Sequence, residues 1–462
     1  MMAQDRAGRR GAHARRNARF STGGSTRQDT ARMATPSANG DYERSLQQAE
    51  SIGAGQFGKG NLYGAEVDMR FRTQALDRVF TRDTVPKDAW IEIDLDAIAH
   101  NVRITRARIG ANRQIAAVVK ADAYGHGAIP VARVALKNGA DRLAVSSVEE
   151  GAKLRNAGIN APILILSQPP DYTVDLLLKY KLVPTVCTVG FARALGEAAA
   201  RRGVVAPFHL AIDTGMNRIG VRSYDAADFC RAIAHKGLFL EGTFTHFATA
   251  DEEPQTDFRK QLARFDEALS EMRAAGFNPG IVHAANSAAI ERFPEAHFDM
   301  VRLGITMYGL APAPSLRGLD DLRPAMAVKC RITYAKEPAV GEGVSYGMNY
   351  RVEKPVQIVT VPLGYADGLS RALSGRMQVI LNGRICNQVG NICMDQMMIE
   401  VPVSESGVCA AEKGDEVVII GSQGVHEITV DDMADLLGTI NYEIICDFKM
   451  RLPRVYLGTG GI

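Results

Sequence analysis

Ile115-Ala-Ala-Val-Val-Lys120-Ala-Asp-Ala-Tyr124-Gly-His-Gly127 is a short apolar run closed by a lysine and followed by a tyrosine and two glycines. An uninterrupted run of this length reads as a strand buried on both faces, the kind found in parallel sheets covered by helices. An open doubly wound sheet usually follows its first strand with Gly-x-Gly-x-x-Gly. That turn is missing here. Working outward, comparable runs recur at Leu143–Ser147, Pro162–Leu166, Val183–Cys187, Phe208–Asp213, Leu240–His246, Ile281–Ala284 and Met300–Gly304, with helical stretches between them. Eight strand-helix units with apolar strands predict an α/β fold, a closed (β/α)8 barrel of the TIM type.

Both flanks differ in texture. Ahead of the barrel, Ala89–Leu95 alternates like a half-buried strand, and Asp96 is placed to cap a helix running through Ile98, Val102 and Ile109. Beyond about Leu322 alternating strands and turns predict a mostly antiparallel β-domain. Its clearest signal is Asn382-Gly383 between two strand-like runs. One helix is expected at Val430–Leu437, then a closing strand at Tyr442–Phe448. The expected domains are a disordered tail over 1–85, a barrel over 86–325 and a β-domain over 326–462, with strand 89–95 free to pair with the β-domain.

The first 40 residues hold Arg6, Arg9, Arg10, Arg15, Arg16, Arg19, Arg27 and Arg32 against Asp5 and Asp29, a composition that cannot build a core. A helix is expected near Phe71–Val79. The tail reads either as dispensable or as an organellar transit peptide. With 54 Lys plus Arg against 52 Asp plus Glu in 462 residues, nothing in the overall charge favours a nucleic-acid partner. No apolar run is long enough to span a membrane. Seven scattered cysteines without a Cys-x-x-Cys pair suit a reducing compartment and no metal. They read as small buried hydrophobes, Cys446 after two isoleucines among them. A cytoplasmic protein is expected, or an organellar one if the tail is a transit peptide.

Active sites of such barrels sit where the strands finish. Lys120 closes the first strand, Arg218 follows the fifth, His246 closes the sixth, Ser287 follows the seventh, and Arg302 lies in the eighth just before Gly304-Ile305. A lysine at the end of an apolar strand is costly to bury as an ammonium; desolvated, it is a nucleophile that forms Schiff bases with carbonyl compounds, pyridoxal phosphate included. The loops after strands seven and eight supply a small hydroxyl and exposed backbone N–H groups, which suit a phosphate dianion. Tyr124 either joins them or is a core tyrosine.

Nine segments then fall into one pattern: Lys120-Ala-Asp-Ala-Tyr-Gly-His-Gly, Asp213-Thr-Gly-Met-Asn-Arg218, Thr245-His246-Phe, Asn286-Ser287-Ala, Val301-Arg302-Leu-Gly-Ile, Val344-Ser-Tyr346-Gly, Gly364-Tyr365-Ala-Asp-Gly, Cys393-Met394-Asp395-Gln and Ile440-Asn-Tyr442-Glu. In this order, from about Ala89 to Tyr456, the chain resembles the alanine racemase family. The resemblance implies a fold-type III pyridoxal 5'-phosphate barrel followed by a β-domain, paired head to tail as a homodimer with composite sites. It implies interconversion of L- and D-alanine, supplying D-alanine for cell-wall peptidoglycan. Lys120 would hold the cofactor as an internal aldimine and serve as one base, with Tyr346 of the opposite subunit as the other; inversion needs proton removal on one face and return on the other. His246 and Arg218 would favour the phenolate of Tyr346, whose reference pKa is about 10.

By the same resemblance Arg302 faces the pyridine nitrogen. A guanidinium does not readily give up its proton, so the ring is a weaker electron sink than one paired with an Asp. Arg218 and the amide of Met394 would bind the substrate carboxylate; Ser287, Tyr124, Tyr442 and the amides of Gly304 and Ile305 would bind the phosphate. Asp395 and Tyr365 read as entrance residues or as structural polar groups. Two positions depart from the family pattern. Ala211 stands where many members have a lysine that supports the carboxylate-binding arginine, and Asn217 replaces a common glycine. A serine or broad-specificity racemase is therefore an alternative. A non-enzymatic pyridoxal-phosphate carrier would be expected to end near the barrel, and a basic amino-acid decarboxylase to place an acid at the pyridine nitrogen.

Overall fold

The computed structural model describes residues 80–319, 321–402, 411–448 and 450–458. The Arg-rich segment and the helix expected near Phe71–Val79 lie outside the described residues. Ten strands lead to the end of the barrel: β1 (Ala89–Asp94), β2 (Gln114–Val118), β3 (Arg142–Val145), β4 (Ile163–Ile165), β5 (Val183–Val186), β6 (Ala206–Asp213), β7 (Val221–Arg222), β8 (Leu238–Phe244), β9 (Ile281–His283) and β10 (Met300–Leu303). Eight of them form the barrel in the order β5-β4-β3-β2-β10-β9-β8-β6. It closes where Thr185 and Val186 of β5 pair in parallel with His209 and Leu210 of β6. The apolar runs are explained by two-sided burial, helices outside and packed side chains inside; Ile115, Ala116 and Ala117 of β2 are wholly buried. The two-residue β7 adds to β6.

β1 belongs to a different sheet. It pairs antiparallel with Met326–Arg331 and parallel with Arg454–Leu457, so the first and last described strands are neighbours. The helix after it starts at Leu95, and its cap is Asp94 rather than Asp96. Asp94 Oδ1 accepts the backbone N–H groups of Asp96 and Ala97 at 2.9 and 3.0 Å. The other β-domain strands of this sheet are antiparallel, and Gln378–Leu381 and Arg384–Val389 form the hairpin that Asn382-Gly383 signals. Both turn residues have positive φ, 50° and 71°, as a two-residue hairpin turn that matches strand twist requires.

One element differs in kind. Asn441–Asp447 is a helix, not the closing strand. Ile444 and Ile445 are buried and Glu443 and Cys446 exposed, a helical period that a run as short as Ile-Ile-Cys does not announce. The closing strand is Arg454–Leu457, and Cys446 is exposed rather than buried.

Candidate active site at the barrel mouth

The strand ends open onto a cavity of about 580 Å³ lined by Lys120, Arg218, His246, Ser287, Arg302 and Tyr442, with Tyr124, Gly304 and Ile305 on the same wall. Nine of the eleven residues singled out by sequence thus meet in one hollow. Tyr346 and Met394 do not.

Lys120 stands two residues beyond the end of β2, at the head of a left-handed turn rather than in the strand. Ala121, Asp122, Ala123 and Tyr124 all have φ between 52° and 55°. For residues with a Cβ this conformation costs on the order of 1–2 kcal/mol each, and the surroundings hold it. Glu150 accepts the Ala121 N–H at 2.6 Å, and Lys153 pairs with Asp122 at 3.0 Å. His126 Nδ1 lies 3.1 Å from the carbonyls of both Ala123 and Tyr124, which fixes the proton on that nitrogen. Arg454 Nε donates to Gly125 O. Burial, and then the Arg218 guanidinium, hold the Lys120 amine below its ordinary value, with Glu150 pulling the other way. The result is a desolvated amine on a fixed backbone.

Ser287, Gly304 and Tyr124 line the same cavity. Ser287 Oγ accepts the N–H of Gly304 at 3.1 Å and receives the Thr306 hydroxyl at 3.2 Å. A Cβ on Gly304 would come within 3.3 Å of Ser287 Oγ and 3.6 Å of the Tyr124 hydroxyl, so only glycine leaves this space open. Tyr124 packs on Tyr308 at 5.0 Å between centroids and faces Tyr442 at 6.1 Å. Sequence reasoning missed Thr306, although it follows Gly304 by two residues in the same segment.

The wall carries three cations: Lys120, Arg218 and Arg302. Its one carboxylate is Asp213, which is bound to Arg222 and to the amides of Gly215 and Asn217. Among the described residues Arg218 has no hydrogen-bond or ion-pair partner. Ala211 lines the same wall and offers it none. Asn217, at φ 55°, bonds through its side chain to Gly215 O and Arg222. Arg302 is buried and gives Nη2 to Thr245 O, Ala284 O and His246 Nδ1 at 2.9–3.0 Å. Burial and then Arg218 push its pKa down to about 9, still charged at neutral pH. Burial, then Arg302, holds His246 well below its usual value, so it is a neutral acceptor. Such a site favours a ligand with a phosphate and a carboxylate.

Tyr346 lies on the β-domain and is 74% exposed, and Met394 is 52% exposed. Tyr346 lines a separate hollow with Cys393, and Asn391 donates to its carbonyl at 2.7 Å. The Met394 carbonyl accepts from Ala366, beside Tyr365. Asp395 pairs with Arg451 at 2.7 Å.

Two sequence profiles match in tandem: "Alanine racemase, N-terminal domain" over residues 93–312 and "Alanine racemase, C-terminal domain" over 325–456. The alanine racemase of Desulforamulus reducens is 44% identical over 373 residues, covering 80% of this chain and 99% of its own. Among solved structures, that of the Bacillus anthracis alanine racemase with bound L-Ala-P superposes with a TM-score of 0.76 at 40% identity, covering 81% of this chain and 96% of that one. A histidine racemase from Leuconostoc mesenteroides superposes with a TM-score of 0.74 at 29% identity, covering 81% and 99%. On the closed barrel, the joined β-domain and both profiles, the chain belongs to the alanine racemase family.

Proposed function

We propose that the protein interconverts L- and D-alanine with pyridoxal 5'-phosphate and works as a homodimer. The observation that carries this reading is the cavity itself: a desolvated lysine, the Ser287 hydroxyl beside space that Gly304 leaves open, a buried arginine, and a second arginine that has no hydrogen-bond or ion-pair partner among the described residues, all on one wall. When bound, pyridoxal phosphate supplies a conjugated ring that withdraws electrons from the substrate α-carbon and acidifies its proton. Lys120 would hold it covalently through Nζ, with Ser287, Tyr124, Tyr442 and the amides of Gly304 and Ile305 on its phosphate and Arg302 at its ring nitrogen.

Arg218, without a hydrogen-bond or ion-pair partner among the described residues, binds the substrate carboxylate as a charge-assisted pair. Lys120 Nζ moves the proton on one face of the α-carbon. The other face needs a second group, and the exposed phenol of Tyr346, which does not line the cavity of its own chain, suits delivery by a second copy together with the Met394 amide. His246, a neutral acceptor held by Arg302, lies on the cavity wall toward which that phenol would reach.

A second reading, a racemase of broader side-chain range acting on serine as well, is favoured by the small Ala211 on the cavity wall. Purified protein incubated separately with L-alanine and L-serine, with enantiomers followed by chiral chromatography, decides between them. Racemisation of alanine alone supports the first and of both the second; racemisation of neither overturns both. Among the described residues no helix is long and apolar enough to cross a membrane.

A further inference from the structure

Beneath Arg302 a row of polar side chains runs down the barrel interior, although interiors of this kind are normally filled by branched apolar residues. Arg302 Nη1 lies 3.0 Å from His283 Nδ1. His283 Nε2 lies 2.8 Å from His209 Nδ1, and His209 Nε2 lies 3.0 Å from Glu241 Oε2. Glu241 is in turn held by Arg142, the first residue of β3, at 3.0 Å. Both imidazoles are wholly buried. The row therefore spans the barrel from its mouth to its floor.

The direction of these bonds is fixed by chemistry. A guanidinium has no acceptor, so His283 Nδ1 must accept from Arg302. A neutral His283 then carries its proton on Nε2 and donates it to His209 Nδ1. His209 likewise carries its proton on Nε2 and donates it to the Glu241 carboxylate. Reversing one bond would set two N–H groups against each other at Arg302 or strand a buried donor. Burial holds both imidazoles below their ordinary values, in keeping with neutral rings.

We propose that Glu241 and His209 are positioning residues for the reaction: they lock His283 as an acceptor and thereby hold the Arg302 guanidinium in place at the barrel mouth. The proposal rests on the reading of Arg302 as the residue that faces the cofactor ring. A hydrogen-bonded partner one or two residues removed from a reacting group commonly fixes its orientation, and a misplacement of the order of 1 Å can cost about 10²-fold.

The test uses holoenzyme labelled with ¹⁵N in the histidine rings, with His209 and His283 assigned through His209→Asn and His283→Asn. Both are expected as neutral rings protonated at Nε2. Either ring protonated at Nδ1, or on both nitrogens, at neutral pH overturns the proposal without any variant needing to fold. Glu241→Ala and His209→Asn are expected to lower kcat at least about tenfold with little change in KM for alanine. Glu241→Gln, which keeps an acceptor for His209, should stay within about twofold and retain the wild-type tautomers. A folded, cofactor-loaded Glu241→Ala with wild-type kcat also overturns the proposal. Arg302→Lys separates the two readings: if it changes neither kcat nor the cofactor absorbance, the placement of Arg302 at the cofactor fails, whereas if it changes them and Glu241→Ala does not, only the present inference fails.

Discussion

The Glu150 carboxylate accepts the backbone N–H of Ala121 at 2.6 Å, so a helix of the outer layer grips the peptide that follows Lys120. The same side chain accepts from Ser146 at 2.7 Å, tying the end of β3 to the left-handed turn. Glu150→Ala removes both bonds at exposed amides and is expected to cost about 0.5–1.5 kcal/mol. Chemical denaturation measures it; Glu150→Gln, which retains one carbonyl acceptor, should lose less.

Lys120 is expected to be the residue that bonds the cofactor. Borohydride reduction followed by peptide mapping should place the pyridoxyl group on Lys120, and Lys120→Ala should abolish racemisation. An adduct on a different lysine would move the site.

Tyr346→Phe removes only the phenolic hydroxyl from a side chain outside the cavity of its own chain. Racemisation should fall at least about 10²–10⁴-fold while cofactor binding is nearly unchanged. With Lys120 intact, the variant should still exchange the α-proton of D-alanine with deuterated solvent, while exchange from L-alanine drops. Equal loss from both enantiomers would instead make Tyr346 a positioning group.

His126 is expected to make the protein acid-labile. It is fully buried, and burial lowers its pKa to about 4 against 6.5 for an ordinary histidine. Between those values the unfolded chain binds a proton that the folded chain does not, so stability falls as pH drops from about 6.5 toward 4. At 1.36 kcal/mol per unit the effect is on the order of 3 kcal/mol. Urea unfolding of His126→Asn should show a flatter pH dependence over this window, offset by a constant loss from its hydrogen bonds to Ala123 and Tyr124.

Removal of residues 1–80 is expected to leave activity and dimerisation intact. The segment is Arg-rich and lacks apolar periodicity, and the cut falls before Arg82, whose guanidinium bonds Glu92 of β1. Size-exclusion chromatography and the racemisation assay check it; a folded, dimeric but inactive product would make the tail functional.

The barrel was legible because most of its strands are apolar runs buried on both faces, β8 with its exposed Phe239 being the exception, and the residues closing those runs are polar in a way that a core does not explain. The left-handed turn was not. Of its residues only Asp122 is of a type that visits positive φ at all often; the run is held by Glu150, Lys153 and Arg454, distant in sequence, and by the neighbouring His126. The row beneath Arg302 was equally hidden: Phe208-His-Leu and Leu240-Glu-Gly read as ordinary strand, and only the parallel pairing of β6 with β8 brings His209 and Glu241 within 3.0 Å. Asn441–Asp447 was misread because two β-branched isoleucines in so short a run suit a strand as well as a helix.

The place of β1 has a consequence for synthesis of the chain. Trp90, Ile91 and Ile93 are completely buried, yet their partners, Met326–Arg331 and Arg454–Leu457, leave the ribosome only after the whole barrel. At roughly 5–20 residues per second that is a delay on the order of tens of seconds. Throughout it the nascent chain presents an unpaired apolar strand beside a barrel able to close without it. A translation product ending before Met326 would keep that edge permanently open, a template for pairing with other chains. Chaperone contact with the nascent protein should therefore concentrate on Ala89–Asp94 and end when Arg454–Leu457 emerges.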